Sequence, residues 1–234
     1  MSLCQPHNGK HSCGSCCGIF NLELTTPEIK NLLQERTGQF EETVDFGIQH
    51  SIPSFRQTRE KTEASLPKKD PTTYNCPFLG YIDSKKERIG CMIHPVRTGN
   101  PKSQNYSFYG SSICLGYECK NMERKTSFDW EDLFQEISKD SLQYSQLAAN
   151  HILIQRIESL LEFSGIEIKK FILNFRADIL DLLEEVWNLH QTEERLTSFE
   201  IDYDKKEDRE KIIEKLKELL GEDSPSLCWF LGII

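Results

Sequence analysis

No run of eighteen apolar residues occurs in this chain, which excludes a membrane-spanning helix. The first ten residues, MSLCQPHNGK, lack both the apolar stretch and the cleavage site of a secretory leader, so a cytoplasmic location is expected. There is no GxGxxG, no Walker A loop, no GxSxG and no internal repeat. Nucleotide-loop and serine-hydrolase readings therefore have no support. Basic residues do not gather either. Residues 1–126 hold 16 Lys/Arg against 13 Asp/Glu, and residues 127–234 hold 12 against 24, giving +3 and −12. An acidic second half without a Lys/Arg-rich stripe argues against nucleic acid and against an anionic membrane as partners.

Cysteine is what the chain has in excess. Nine are present, an odd number, and eight of them (Cys4, Cys13, Cys16, Cys17, Cys76, Cys91, Cys114 and Cys119) precede residue 120. In a reducing compartment such a set argues for metal ligation or thiol chemistry rather than a disulfide framework. The 234 residues, 38% hydrophobic and 28% charged, suffice for one large or two modest folded units. Thiols and charge both change near residue 126. The expected division is a cysteine-cluster metal-binding module over 1–126 and an acidic helical region over 127–234.

Local signals give an α+β, mostly α class. In LELTTPEIKNLLQERTG, Thr25 and Glu28 have capping-box spacing, Pro27 suits a first turn and Gly38 suits a stop, which predicts a helix near 27–36. The polar stretch from Arg56 to Pro71 reads as a mobile loop. In YNCPFLGYIDSKKERIGCMIHP, two short apolar runs flank the polar turn DSKKE, a β-hairpin that would bring Cys76 and Cys91 together near its base. Helical stripes follow: Trp130, Leu133, Phe134 and Ile137; Leu153, Ile157, Leu160 and Leu161 before Gly165; Phe175, Ile179, Leu182, Leu183 and Val186. A fourth stripe comprises Ile212, Leu216, Leu219 and Leu220, and Cys228 in LCWFLGII reads as part of an apolar tail on the helical core.

The first half, loop-rich and short of periodic segments, has little to hold it except its cysteines. A structural metal site supplies folding free energy on the order of 10 kcal/mol, enough to replace a missing apolar core in a small module. A Cys-x2-Cys turn with Gly14 and Ser15 between its thiols presents two sulfurs to one ion and frees N–H groups to bond them. Adjacent residues project differently, so Cys17 either serves a second metal or cluster or packs as a small apolar side chain. Eight thiols are enough for two four-thiolate sites, with His7, His11 and His94 as replacements. Zinc and iron, the latter as an iron–sulfur cluster, both suit thiolates; vicinal cysteines and thiol excess lean towards iron. Beside these readings, His94 before Pro95 suits a turn, Arg97 a solvated surface, and Tyr106, Phe108, Tyr109 and Tyr117 either core packing or a shield over the thiols.

The order CGSCC, a Thr-Pro-Glu helix, CPFL and then CMIHP resembles the bacterial YkgJ-type cysteine-cluster family, a zinc- or iron-chelating domain with a CxxCxxCC motif. The resemblance covers residues 13–97 and implies that Cys13, Cys16, Cys17, Cys76 and Cys91 are ligands. The family's first cysteine falls here at Lys10, leaving that place to Cys4, His7 or His11. The family's closing cysteine is also missing, and Cys114 with Cys119 can take its role. The resulting expectation is a metal-binding protein. One alternative is a cluster-dependent protein-modifying enzyme, because flagellin lysine methylases carry a similar domain. The other is a zinc-stabilised interaction module offering its acidic half to a protein partner.

Overall fold

The computed structural model describes residues 3–6, 9–48, 50–191, 210, 211, 213–215, 217 and 218. His7, Ile212, Leu216, Leu219, Leu220 and Cys228 lie outside the described residues. The fold is mostly helical with one small antiparallel hairpin. Among the described residues, no helix is long and apolar enough to cross a membrane.

Helix α1, Thr26–Thr43, begins at the expected capping box, where Glu28 accepts the Thr25 N–H at 2.7 Å and Pro27 sits in the first turn. It runs past Gly38, because Thr37 and Phe40 beyond the expected end are buried, as Arg36 at that end is, and tie the helix to its neighbours. Helix α2, Ser51–Thr62, occupies much of the stretch read as a mobile loop. Its buried face is Ile52, Phe55 and Arg59, and the arginine made that face look polar. Paired with Glu63 at 2.7 Å, Arg59 is only 5% exposed.

Strands β1, Leu79–Tyr81, and β2, Ile89–Cys91, pair antiparallel with Leu79 opposite Cys91 and Tyr81 opposite Ile89. Asp83 closes the turn by accepting N–H bonds from Arg88 (2.8 Å) and Glu87 (3.1 Å). The free edge of β1 is capped by α1, whose Thr37 Oγ1 accepts the Tyr81 N–H at 2.8 Å. Two short helices follow, α3 at Pro95–Thr98 and α4 at Gly110–Gly116, separated by a 3-10 turn at Ser103–Tyr106.

Helices α5, Ser127–Ile137, and α7, His151–Phe163, carry the first two expected stripes, and α9, Arg176–Gln191, buries Ile179, Leu182 and Leu183 of the third, with Phe175 in the turn before it. Gly165 (φ 68°) ends α7 in a Schellman motif, with Ile166 N–H bonded to the Leu161 carbonyl and Gly165 N–H to that of Glu162. Two further helices, α6 at Ser141–Ala149 and α8 at Ile168–Asn174, had no readable stripe. Eight of the nine α6 residues are buried, so no polar face marks it.

Three apolar clusters fill the interior. The largest joins α5–α9 and includes Trp130, whose indole N–H donates to Glu158 at 2.9 Å. A second packs α1 on the hairpin, and a third gathers Phe40, Phe55, Phe78 and Met92. The chain crosses between them. Leu3 enters the helical cluster, where Tyr144 OH donates to its carbonyl at 2.7 Å, while Leu142 and Ala149 of α6 enter the hairpin cluster.

Candidate metal centre

The loop at residues 13–17 has no ladder of its own and is fixed from outside. Cys13 N–H donates to the Cys4 carbonyl (2.8 Å), and a 3-10 turn at Ser15–Cys17 closes through Cys17 N–H to Gly14 O at 3.1 Å. Gly18 then turns with φ 78°, and a Cβ there would lie 2.5 Å from the Tyr74 carbonyl oxygen, so glycine is required. From α6, Ser145 Oγ accepts the Gly14 N–H at 3.0 Å and Ser141 Oγ accepts the Ser12 N–H at 3.2 Å. Ser15 Oγ donates back to the Ser145 carbonyl at 2.9 Å. A buried helix thus supplies the hydrogen bonds that hold the thiol loop in shape.

Cys17 joins this loop to the hairpin. Cys76 N–H donates to its carbonyl at 2.9 Å, and its thiol lies in hydrogen-bonding reach of both Cys16 and Cys76. Those two contacts, then burial, push the Cys17 thiol well above its ordinary range. The same contacts hold Cys16 and Cys76 below it. The central sulfur keeps its proton and shares it with two neighbours that carry charge more readily. Burial and the charge of Cys76 push Cys91 up to about 12, and Gln104 Nε2 lies 3.8 Å from its sulfur. On α4, burial raises Cys114, which sits 3.6 Å from the Ser107 hydroxyl and also feels Cys76 and Cys16. Cys17, Cys76, Cys91 and Cys114 form one group.

A second group surrounds the N-terminal segment. The Cys4 thiol is hydrogen-bonded with Cys119, which together with burial and the charges of Cys13, Cys119 and Cys16 raises it far above its ordinary range. Its sulfur lies 3.6 Å from that of Met122. Burial, then the charge of Cys16, pushes Cys13 up to about 12, with a smaller push from Cys119. Cys16 feels Cys119 on this side and contacts Cys17 on the other, so it stands at the seam.

Two side chains outside the cysteines set the electrostatics. Arg36, 1% exposed, donates through Nη1 to the Cys76 carbonyl at 3.1 Å and through Nε and Nη2 to Glu63 at 2.9 and 2.5 Å. Its positive charge behind Cys76 favours that thiolate. Tyr109 donates to the Tyr74 carbonyl at 3.1 Å, and burial followed by the charges of Cys76, Cys17, Cys114 and Cys16 pushes its hydroxyl up. It therefore faces the first thiol group, with Phe108 packed beside it and Tyr74.

Soft sulfurs in this number fit zinc or an iron–sulfur cluster by donor chemistry, and a cation would offset the burial, and the smaller repulsion between thiols, that raise Cys13 and Cys91. As placed, the sulfurs meet in pairs and short chains. Among the described residues, no three His, Cys, Asp or Glu side chains are arranged so that one ion could be held by all of them.

Of the candidate histidines, His94 and His11 are among the described residues. His94 caps α3 with Nδ1 accepting the Val96 N–H at 3.3 Å, which is the turn role expected beside Pro95. The His11 ring faces the Ser138 carbonyl. Arg97 is exposed, as a surface arginine would be. Residues that sequence reasoning missed are Arg36, Ser141, Ser145 and Asn21. Asn21 is fully buried, exchanging 2.9 Å bonds with the Asp70 backbone to clamp the chain that leads to Cys76. No spacing rule marks a buried serine or asparagine, whereas Arg36 lay in plain view on the predicted helix. No protein family, curated protein or solved structure matches the chain.

Proposed function

We propose that the protein binds thiophilic metal, zinc or iron, through two four-thiolate groups: Cys4, Cys13, Cys16 and Cys119, and Cys17, Cys76, Cys91 and Cys114. The observation that carries this reading is the meeting of eight thiols from distant parts of the chain, each within hydrogen-bonding or charge-coupling reach of another. The adjacent pair Cys16 and Cys17 then serves both groups, one residue each, as its opposed side-chain directions require. The resemblance to YkgJ-type domains points the same way, and a cytoplasmic, reducing location accords with eight unbridged thiols. Bound zinc would supply folding free energy; an iron–sulfur cluster would add one-electron chemistry. The chain's own residues position the sulfurs: Ser141 and Ser145 hold the 13–17 loop, Asn21 and Arg36 hold the approach to Cys76, and Tyr109 covers it.

Elemental analysis of anaerobically purified full-length protein is the test. Two zinc ions per chain, or iron with matching sulfide and a broad visible absorption, is the expected result. Cys13→Ser and Cys76→Ser should each remove one group's share. Protein that carries neither metal and keeps its fold in strong chelator would overturn the reading. A zinc-stabilised interaction module is the second reading, favoured by Phe108, Ile113 and Leu115, all more than half exposed beside the first thiol group.

A further inference from the structure

A cleft of about 270 Å³ lies between the N-terminal segment, α1, the hairpin turn and the start of α6. Its lining includes four lysines, Lys10, Lys30, Lys86 and Lys139. Two of these amines are already engaged: Lys30 pairs with Asp140 at 2.6 Å, and Lys139 pairs with Glu184 at 3.3 Å and lies over the Trp187 ring. Asp140 is further committed to the first turn of α6, where it accepts N–H bonds from Leu142 and Gln143, both at 2.9 Å. Lys10 and Lys86 have no carboxylate partner among the described residues. Glu87 is the remaining acid in the lining, and its carboxylate offsets the charge of one of the two free amines.

Polar atoms in the lining also lack partners. Tyr81 is 8% exposed, its hydroxyl has no bonding group among the described residues, and burial keeps it protonated as a donor. His11, 2% exposed, has an Nδ1 with no partner. Lys86 adds a backbone observation. It is the one described non-glycine residue with positive φ, 57°, a conformation that costs an L residue roughly 1–2 kcal/mol and that glycine or asparagine would adopt more easily. The turn keeps a lysine there at that cost, and the residue lines the cleft.

We propose that this cleft binds a small phosphate-bearing anion, held by the amines of Lys10 and Lys86 and by the Tyr81 hydroxyl. With Lys30 and Lys139 already paired, Lys10 and Lys86 against the Glu87 carboxylate leave the lining with a net positive charge, which favours an anion, and lysines bind phosphate as mobile point charges without needing a fixed fork. The cleft admits either inorganic phosphate or a compact phosphomonoester. This site is independent of the thiol groups and stands or falls without them.

The test is calorimetric titration of the full-length protein, as purified, with inorganic phosphate, with glycerol phosphate and with glycerol. The expected result is saturable one-to-one binding of a phosphate compound, weakened by added salt, and none of glycerol. Tighter binding of glycerol phosphate than of inorganic phosphate identifies a monoester; the reverse order identifies the free ion. The double change Lys10→Gln/Lys86→Gln should weaken binding roughly a hundredfold, about tenfold for each charged hydrogen bond. Lys86→Gly is the sharper variant: it should raise the melting temperature by relieving the turn while lowering affinity roughly tenfold. Lys102→Gln, at an exposed site elsewhere, should change neither. Absence of saturable binding to the unaltered protein, or affinity unchanged in Lys86→Gly, overturns the proposal.

Discussion

The helical half gathers its apolar side chains chiefly into one cluster of seventeen buried residues, Leu3 among them, whereas the thiol-bearing half divides its own between clusters of eleven, two of them from α6, and seven. Between those two smaller clusters lie Cys17, buried Arg36 and Thr37, and the hairpin with its paired glycines. A single large cluster buries each leucine or isoleucine for about 1.5–3 kcal/mol and needs no further staple. A core divided by polar groups and thiols is held by directed bonds, and each directed bond fails sharply when one partner is removed. The difference teaches where a perturbation will act: the helical half should tolerate losses that unfold the other.

Metal removal should expose the contrast most. If the thiol groups hold metal, chelation withdraws folding free energy on the order of 10 kcal/mol from the first half only. Hydrogen exchange should then show residues 13–22 and 76–93 losing protection while α5, α7 and α9 retain it. Equal loss in both halves would break the comparison.

Arg36→Ala comes next. It leaves Glu63 buried with only Arg59 as partner and removes the donor to the Cys76 carbonyl, for an expected cost of about 3–5 kcal/mol in denaturant unfolding. Changing Arg36 and Glu63 together to apolar residues of similar size should cost much less, because no charge is then left unpaired.

Acid tests the same pair more gently. Burial pushes the Glu63 carboxyl up, but hydrogen bonds and charge from Arg36, then Arg59, outweigh it, so the group sits below its ordinary value. A lowered folded value means that this stability is complete above the unfolded value of about 4.3 and is lost as pH falls through the folded one. Melting temperature should therefore drop below about pH 4 in the native protein, and less steeply in the Arg36→Ala variant.

Ser145→Ala has the smallest expected effect. It orphans the buried Gly14 N–H and should cost about 1–3 kcal/mol. The loss should appear in the exchange rates of the 13–17 loop before it appears in α7.

Much of this architecture was legible in the residues. The capping box at Thr25, the hairpin around DSKKE and the stripes of α5, α7 and α9 follow from periodicity that the structure uses directly. Helix α6 was not legible, because burial on every side removes the polar face that periodicity detects. Helix α2 was hidden by Arg59, a charged residue buried through pairing, which composition counts as solvent-facing. For the thiols, clustering was visible in the sequence, but their grouping was not. It depends on the chain reversals that bring Cys4 to Cys119 and Cys17 to Cys76.

Trp130, stacked on Phe134 and bonded to Glu158 at 1% exposure, has a practical consequence. All three tryptophans, Trp130, Trp187 and Trp229, belong to the second half of the chain. Tryptophan emission, excited selectively beyond the tyrosine band, therefore watches that half alone, with buried Trp130 expected to emit at short wavelength, while sulfur-to-metal absorption would watch the other. If the thiol groups hold iron, the two halves would have separate optical channels, and a stopped-flow trace at two wavelengths would time their collapse independently without any label being attached.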